Sequence, residues 1–206
     1  MNKKFYLITS NQDDDKMINI VNTALKGGVS MLQFRNKEKT DLEYEKTAIK
    51  LKKLCDDFNV PLIINDRLDI ALKIKANGVH LGQDDFEIAK AKKIIPKNFI
   101  LGATAHNLKE AKSAELAGAD YLGIGDVFGT ASKSDTHRIN LEKLKNIKSQ
   151  IQIPIYAIGG ISIENIPLLN SNYCDGIAVI GAVFNAENPL NATKKIVDLL
   201  EKFDDK

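Results

Sequence analysis

The stretch IINDRLDIALKIKANGVHLGQDD, from Ile63 to Asp85, contains one unit of a pattern that repeats along the chain. Two short apolar runs stand near its ends, and a segment with the apolar spacing of a helix lies between them. The stretch therefore predicts a strand, a short helix and a second strand. Each predicted strand is followed at once by acidic residues, Asp66 after the first and Asp84 with Asp85 after the second.

The same alternation continues through the rest of the chain. Helical spacing recurs between the apolar runs, for example at Met17, Val21 and Leu25. Four helical segments end in a glycine turn, in LKGGVSML, KANGVHL, ELAGADYL and NYCDGIAV. We expect each of these glycines to take the left-handed conformation that closes a helix. Eight runs predict strands, and they begin at Phe5, Ser30, Val60, Gly78, Phe99, Asp120, Ile153 and Gly176.

Eight strand–helix units in succession predict an α/β fold, in which parallel strands joined by helices close into a (β/α)8 TIM barrel. With 206 residues the chain is at the short end of the size that such barrels need, and we expect a single domain over residues 1–206. An open doubly wound sheet is the alternative. It is less favoured because no G-x-G-x-x-G motif follows the first predicted strand.

The composition argues against several classes of function. Lys and Arg number 29 against 27 Asp and Glu, and a net charge of +2 does not indicate a surface for nucleic acid or membrane. Cys55 and Cys174 lack the spacing of a zinc site or a disulfide framework. No run has the length of a membrane span or the core of a signal peptide. We therefore expect a cytoplasmic protein whose partners are small molecules. Whether the chain forms a homo-oligomer stays open.

The acidic residues of the opening stretch predict a metal site. In a barrel the carboxyl ends of all strands meet at one face, so Asp66 and Asp85 would lie side by side after neighbouring strands. Two adjacent carboxylates repel each other unless a cation lies between them, and magnesium is usually held by one or two carboxylates together with substrate phosphates. The alternative is that such aspartates are helix N-caps or solvated turns, and for Asp84 this alternative is favoured.

Cationic and glycine-rich segments after other strands predict anion binding at the same face. In MLQFRNK, the residues Gln33, Arg35 and Lys37 would share one side of the chain, because side chains alternate along a strand. Small residues and Lys133 in GDVFGTASKSD allow backbone amides to approach phosphate oxygens. Glycines after the seventh and eighth strands fall where barrels of this kind often bind phosphate. Each segment alone could be a solvated loop or a surface turn.

Seven segments together resemble the thiamine phosphate synthase family. They are, in chain order, QFRNK, IINDR, GVHLGQDD, GATAHN, GDVFGTASK, AIGGI and GIAVIGAVF. The resemblance runs from the first predicted strand to the last, and seven ordered motifs are far more specific than one. It implies a barrel enzyme that uses magnesium to join an aminopyrimidine methyl diphosphate to a thiazole phosphate, giving thiamine monophosphate and pyrophosphate.

The resemblance also implies roles for individual residues. Asp66 and Asp85 correspond to magnesium ligands, and Arg35, Lys37 and Lys133 to catalytic cations that neutralise the departing diphosphate. The pyrimidine substrate and its diphosphate would be bound by Gln33, Arg35, Lys37, Asn65 and Lys133, and Thr104 would be a further substrate-binding residue. The thiazole phosphate would be bound by Thr130, Ser132, Gly160, Ile180 and Gly181.

Several positions depart from the usual family pattern. Thr104 stands where serine is usual, Ser132 where a second threonine is usual and Gly181 where serine is frequent. Asp126 and Gly129 replace prolines, so we expect a looser loop around Phe128. The three histidines, His80, His106 and His137, receive no catalytic role, and for His80 packing or a hydrogen bond is expected.

Three other functions stay open at this point. A thiazole tautomerase-like isomerase on the same barrel would not need the N-D pair or the G-Q-x-D motif, both of which are present. A non-catalytic protein that binds thiamine intermediates would be expected to lose the cationic and acidic positions, which are also present. An unrelated sugar-phosphate isomerase or epimerase would usually need a general base near its substrate carbon.

Overall fold

Eight parallel strands form a closed barrel in the computed structural model, which describes residues 4–129 and 139–203. Each strand pairs with the next along the chain, and the eighth pairs with the first, Phe5 opposite Ile177. The predicted TIM barrel is therefore confirmed. The strands are β1 (Phe5–Ile8), β2 (Met31–Phe34), β3 (Leu62–Asn65), β4 (Gly78–Leu81), β5 (Ile100–Ala105), β6 (Tyr121–Ile124), β7 (Ile155–Ile158) and β8 (Gly176–Val179).

Helices surround the barrel. They are α1 (Asp14–Gly27), α2 (Asp41–Asp57), α3 (Leu68–Lys73), α4 (Ile88–Ile94), α5 (Leu108–Leu116), α6 (Leu141–Lys148), α7 (Gly181–Phe184) and α8 (Pro189–Glu201). The longest, α2, begins with a capping box in which Thr40 and Glu43 satisfy each other's backbone amides. No helix in the described ranges is both long and apolar enough to cross a membrane.

The connection between β7 and β8 departs from the predicted repeat. Its described regular element is a single 3₁₀ turn, Ile166–Leu168, with Pro167 in the first turn. Proline is tolerated at the start of a helix but not in its interior, and the Asn-Ser-Asn sequence that follows, Asn170 to Asn172, favours turns over helix. The strand–helix alternation is therefore weakest here, although the two strands still pair in parallel.

Alternation along the strands divides the buried residues into two clusters. Outward-facing residues such as Leu7, Phe34 and Leu122 pack beneath the helices in the larger cluster. The inward-facing residues form a second cluster that fills the barrel, made of Tyr6, Ile8, Met31, Ile63, Tyr121, Tyr156 and Ala178. The barrel is thus a packed core and not a pore.

The four glycine turns have two different physical explanations. Gly28 and Gly118 take the predicted left-handed conformation, with φ of 107° and 94°. Gly78 and Gly176 do not, and each is instead the first residue of a strand. A side chain at Gly78 would overlap the carbonyl oxygen of Ile100 on the neighbouring strand. The expectation of a helix cap is therefore wrong at these two positions, where glycine provides space.

Both cysteines are buried and free, as small packed side chains. Burial raises the pKa of the Cys55 thiol and of the Cys174 thiol to about 12. A thiol of this kind is protonated at neutral pH, so neither cysteine is an activated nucleophile.

Candidate functional site

Most of the predicted site residues gather at the mouth of the barrel, where the strands have their carboxyl ends. Gln33 lies in β2 and is buried, Asn65 is the last residue of β3, and Thr104 lies in β5. Ile180 and Gly181 follow β8, and Gly160 follows β7. Thr130, Ser132 and Lys133, together with His137, lie outside the described residues.

Asp66 adopts a backbone conformation that is uncommon for a residue with a side chain. Its φ is +63°, in the left-handed region that costs most L-residues roughly 1–2 kcal/mol and that Asp and Asn tolerate best. The Asp66 amide donates to the carbonyl oxygen of His80 at 2.9 Å, which ties the end of β3 to β4. The chain therefore turns sharply at the residue that carries the carboxylate.

Asp66 and Asp85 meet at this turn. Partial burial raises the pKa of Asp66 to about 6, and a hydrogen bond with Asp85 and repulsion from its charge contribute to the rise. Asp85 is exposed, and its Oδ2 accepts a hydrogen bond from the Gly82 amide at 2.6 Å. The carboxylates that follow neighbouring strands are therefore close enough to compete for a proton, and Asp84 lies exposed beside Asp85 in the turn after β4.

The donor set at this turn suits a hard divalent cation. Among the described residues, it offers the carboxylate oxygens of Asp66 and Asp85, and partial burial together with repulsion from Asp85 raises the pKa of Asp66. Across residues 4–129 and 139–203, no group of three or more His, Cys, Asp or Glu side chains could hold a metal ion. Two carboxylates are what magnesium usually takes from a protein when phosphates complete its shell. The ligand role of Asp66 and Asp85 stays a prediction.

Two cations lie beside the acidic pair. Lys37 Nζ is 3.9 Å from Asp66 Oδ2, and Lys37 and Arg35 both act to lower the pKa of Asp66. The strand β2 ends at Phe34, so both cations lie in the loop after it and not on the strand itself. Their approach to Asp66 therefore depends on how that loop is held.

Three residues without a role in the sequence-based prediction hold the loop after β2. Thr9 Oγ1 donates to the Arg35 carbonyl at 3.0 Å and accepts from the Arg35 amide at 2.9 Å. Arg67 donates to the Lys39 carbonyl at 2.7 Å, and its guanidinium lies over the ring of Tyr44, 4.4 Å from the centroid. Arg67 directly follows Asp66 in sequence. Its hydrogen bond to Lys39 therefore links the turn at Asp66 to the loop that carries Arg35 and Lys37. In the sequence, the position of Arg67 at the end of the IINDR segment was the only indication of such a role.

The loop after β6 is anchored and not loosened by its departures from the usual pattern. Asp126 is 5% exposed, and its Oδ1 accepts from the Gly129 amide at 2.9 Å. Its carbonyl oxygen accepts from the Ile139 amide at 2.8 Å. Asp126 therefore bonds to Gly129 and Ile139, the described residues on either side of positions 130–138. The expectation of a looser loop is wrong for the described part, because an aspartate accepts hydrogen bonds that a proline side chain could not.

The same loop packs against the glycines after β7. The amides of Val127 and Phe128 donate to the carbonyls of Ile158 and Gly159, both at 3.0 Å. Gly160 has φ +62°, and a side chain there would overlap the carbonyl oxygen of Gly129. Gly160 and Gly129, the residue that precedes Thr130 in the sequence, are therefore neighbours.

Gly181 begins the four-residue helix α7 and is exposed. A Cβ at this position would meet only the side-chain amide of Asn185, at 3.1 Å. That side chain can move aside, so packing does not require glycine here. The absence of a hydroxyl at position 181 leaves the backbone amide as the polar group that this residue can offer.

The two described histidines have structural partners. His80 Nδ1 is 3.1 Å from the Tyr121 hydroxyl, and His80 Nε2 is 2.9 Å from the Thr104 hydroxyl. The hydrogen bonding expected for His80 is therefore confirmed. His106 Nδ1 is 3.0 Å from Glu110 Oε2, and its amide donates to the same oxygen. His106 thus helps to order the start of α5.

Comparisons with known proteins agree on one family. A family model described as thiamine monophosphate synthase matches residues 5–183. The thiamine-phosphate synthase of Clostridium acetobutylicum is 40% identical over 201 residues, 97% of this chain and 95% of the relative. That of Methanobrevibacter smithii is 44% identical over 193 residues, 93% of this chain and 92% of the relative.

Solved structures extend the comparison to the fold. The thiamine phosphate pyrophosphorylase from Pyrococcus furiosus superimposes with a TM-score of 0.89 at 38% identity, covering 98% of this chain and 97% of that one. A 3-hexulose-6-phosphate synthase superimposes with a TM-score of 0.76 at 16% identity, covering 96% and 99%. The second likeness concerns the fold alone. The chain belongs to the thiamine monophosphate synthase family.

Proposed function

We propose that the chain condenses an aminopyrimidine methyl diphosphate with a thiazole phosphate, releasing pyrophosphate and thiamine monophosphate. The observation that carries the proposal is the meeting of Asp66 and Asp85 from neighbouring strands, with Lys37 at 3.9 Å from Asp66. An acidic pair flanked by cations at the mouth of a barrel suits a diphosphate that binds with a metal. The family membership supports the choice of substrates.

The pyrimidine substrate would lie over the barrel interior. Asn65 and Thr104 are half-buried near the carboxyl ends of β3 and β5, and Gln33 in β2 is 2% exposed, so the amide of Gln33 would form part of the floor of the site. Amide and hydroxyl groups can donate to and accept from a pyrimidine ring and its amino group. The diphosphate would then extend towards Arg35 and Lys37.

Bond cleavage is the step that needs charge stabilisation. As the bond between the pyrimidine methylene carbon and the diphosphate oxygen breaks, its electron pair leaves with the diphosphate, and positive charge develops on the carbon. Arg35 and Lys37 would neutralise the leaving group, and Lys133 is the third cation of the proposal. Magnesium held by Asp66 and Asp85 would supply further positive charge to the diphosphate oxygens.

Bond formation requires little from the protein beyond placement. The thiazole nitrogen already carries a lone pair, which forms the new bond to the methylene carbon, so no strong protein base is needed. Gly160, Ile180 and Gly181 would bind the thiazole phosphate together with Thr130 and Ser132, and the contact between Gly160 and Gly129 supports a shared phosphate site. Holding the two substrates in line lowers the entropic cost of bringing the thiazole nitrogen to the methylene carbon.

The ratio of pyrophosphate released to thiamine monophosphate formed tests the proposal. Purified protein with magnesium and both substrates should release one pyrophosphate for each thiamine monophosphate formed, and omission of the thiazole phosphate should stop product formation. Binding of both substrates without product would support a non-catalytic binding protein instead. Isomerisation of the thiazole phosphate alone would support a tautomerase, and either result would refute the proposal.

A further inference from the structure

A chain of hydrogen bonds crosses the interior of the barrel and joins two of the proposed substrate contacts. Gln33 Nε2 donates to the Tyr6 hydroxyl at 2.6 Å, and the Tyr6 and Tyr121 hydroxyls are 2.7 Å apart. The Tyr121 hydroxyl is 3.1 Å from His80 Nδ1, and His80 Nε2 is 2.9 Å from Thr104 Oγ1. The five side chains come from five different strands.

Tyr121 lies at the centre of this chain, and the barrel leaves space for its ring. Gly102 pairs with Tyr121 on one side and with His80 on the other. A Cβ at Gly102 would overlap the Tyr121 ring. Tyr121 is 3% exposed and Tyr6 is 1% exposed, and their rings meet edge to face with centroids 5.7 Å apart. Both rings are therefore held in place by packing as well as by their hydroxyls.

The donors and acceptors in the chain agree on one direction. The Gln33 amide donates to Tyr6, and if Tyr121 also donated to Tyr6, the Tyr6 hydroxyl proton would have no acceptor within the chain. In the assignment that satisfies every member, the Tyr6 hydroxyl donates to Tyr121 and the Tyr121 hydroxyl donates to His80 Nδ1. A ring nitrogen that accepts leaves the proton on the other nitrogen in neutral histidine. His80 Nε2 therefore donates to Thr104 Oγ1, and the Thr104 hydroxyl proton is left for another acceptor.

We propose that Tyr121 is a positioning residue that acts through this chain, fixing the amide of Gln33 and the hydroxyl of Thr104 for the pyrimidine substrate. The inference rests on the proposed function, because Gln33 and Thr104 are its substrate contacts. Burial raises the pKa of Tyr6 and of Tyr121 above the ordinary value, so both hydroxyls keep their protons at neutral pH and the direction of the chain is maintained. Buried polar networks in which every group is satisfied fix side-chain orientation in this way.

The first test removes one hydroxyl at the centre of the chain. Tyr121→Phe keeps the ring and should lower kcat/KM for the pyrimidine substrate by about tenfold, with KM for the thiazole phosphate within about twofold of wild type. Tyr156→Phe is the matched control, since Tyr156 packs against the rings of both Tyr6 and Tyr121, with centroids 5.4 Å apart, but is not a member of the chain. An equal loss in both variants would overturn the proposal.

A double-mutant cycle separates positioning from a general packing effect. If Tyr121 acts through Thr104, the loss caused by Tyr121→Phe should be smaller in a Thr104→Val background than in wild type, so the two effects are not additive. Additive losses would overturn the proposal. Tyr6→Phe removes the hydroxyl that joins Gln33 to Tyr121, and it gives a second cycle with Gln33→Leu. This cycle keeps the test decisive if Tyr121→Phe folds poorly.

A spectroscopic measurement tests the chain without any substrate. The protein has three histidines, so nitrogen NMR can assign His80, whose shifts should report a neutral ring with the proton on Nε2. In Tyr121→Phe, which lacks the donor to Nδ1, the second tautomer should become populated. A wild-type ring protonated on Nδ1 would overturn the inference even if the enzyme forms product, whereas loss of the proposed function alone would leave the NMR result unchanged.

Discussion

At the scale of single residues, Asp66 combines a backbone and an electrostatic constraint. Its left-handed φ restricts the position to the few residue types that tolerate this region, and Asn is one of them. Asp66→Asn should therefore keep the turn while removing the charge. Neither the φ nor the raised pKa could be predicted from the sequence, because both depend on how β4 and Asp85 pack against the end of β3.

The raised pKa of Asp66 predicts a pH dependence of stability in EDTA. The carboxyl of Asp66 has a pKa of about 6 in the folded chain against an ordinary value of 3.8, so it favours folding most when it is protonated in both the folded and the unfolded state. Its contribution is therefore fully present below about pH 4 and is lost as the pH rises through about 6. The stability of wild type relative to Asp66→Asn should fall by roughly 1–3 kcal/mol between pH 4 and pH 7, measured by urea unfolding.

Asp84→Asn provides the comparison for this experiment, because Asp84 is an exposed carboxylate in the neighbouring turn. Its stability relative to wild type should change little over the same pH interval. A wild-type advantage over Asp66→Asn that grows with pH would contradict the account, since it would mean that folding stabilises the charged form of Asp66.

At the scale of elements, the loops at the mouth depend on space as much as on hydrogen bonding. Gly160→Ala should destabilise the fold more than Gly129→Ala, although both glycines have positive φ. The first substitution adds an overlap with the Gly129 carbonyl, whereas a Cβ at Gly129 has nothing within 4 Å. We expect a loss of about 1 kcal/mol for Gly129→Ala and roughly 1–3 kcal/mol more for Gly160→Ala in urea unfolding. Equal losses would contradict the packing between the two loops.

Elements also mark the limit of what periodicity can predict. Glycine turns that look alike in sequence have different roles, as a left-handed cap at Gly28 and as space for a neighbouring strand at Gly78. The two cannot be distinguished before the neighbouring strand is known. In the same way, Asp126 suggested a looser loop by its residue type and instead accepts hydrogen bonds from the amides of Gly129 and Ile139.

At the scale of the whole molecule, the barrel could be predicted because the strand–helix alternation is local and repeated eight times. The candidate site followed from the barrel, since residues after different strands meet at one face. The hydrogen-bond chain through Tyr6 and Tyr121 could not be predicted, because the two tyrosines are 115 residues apart and each has the pattern of an ordinary core residue. Contacts across the barrel interior require the register of all the strands between them.

The most direct test of the central claim is the magnesium dependence of pyrophosphate release. Turnover by the wild type should stop after exhaustive chelation and return on addition of magnesium. Asp66→Asn and Asp85→Asn should each lower turnover by about 10²–10³-fold and require more magnesium, while Asp84→Asn should match wild type. Unchanged turnover after chelation, or wild-type turnover in both Asp66→Asn and Asp85→Asn, would contradict the claim that these two carboxylates hold a metal against the departing diphosphate.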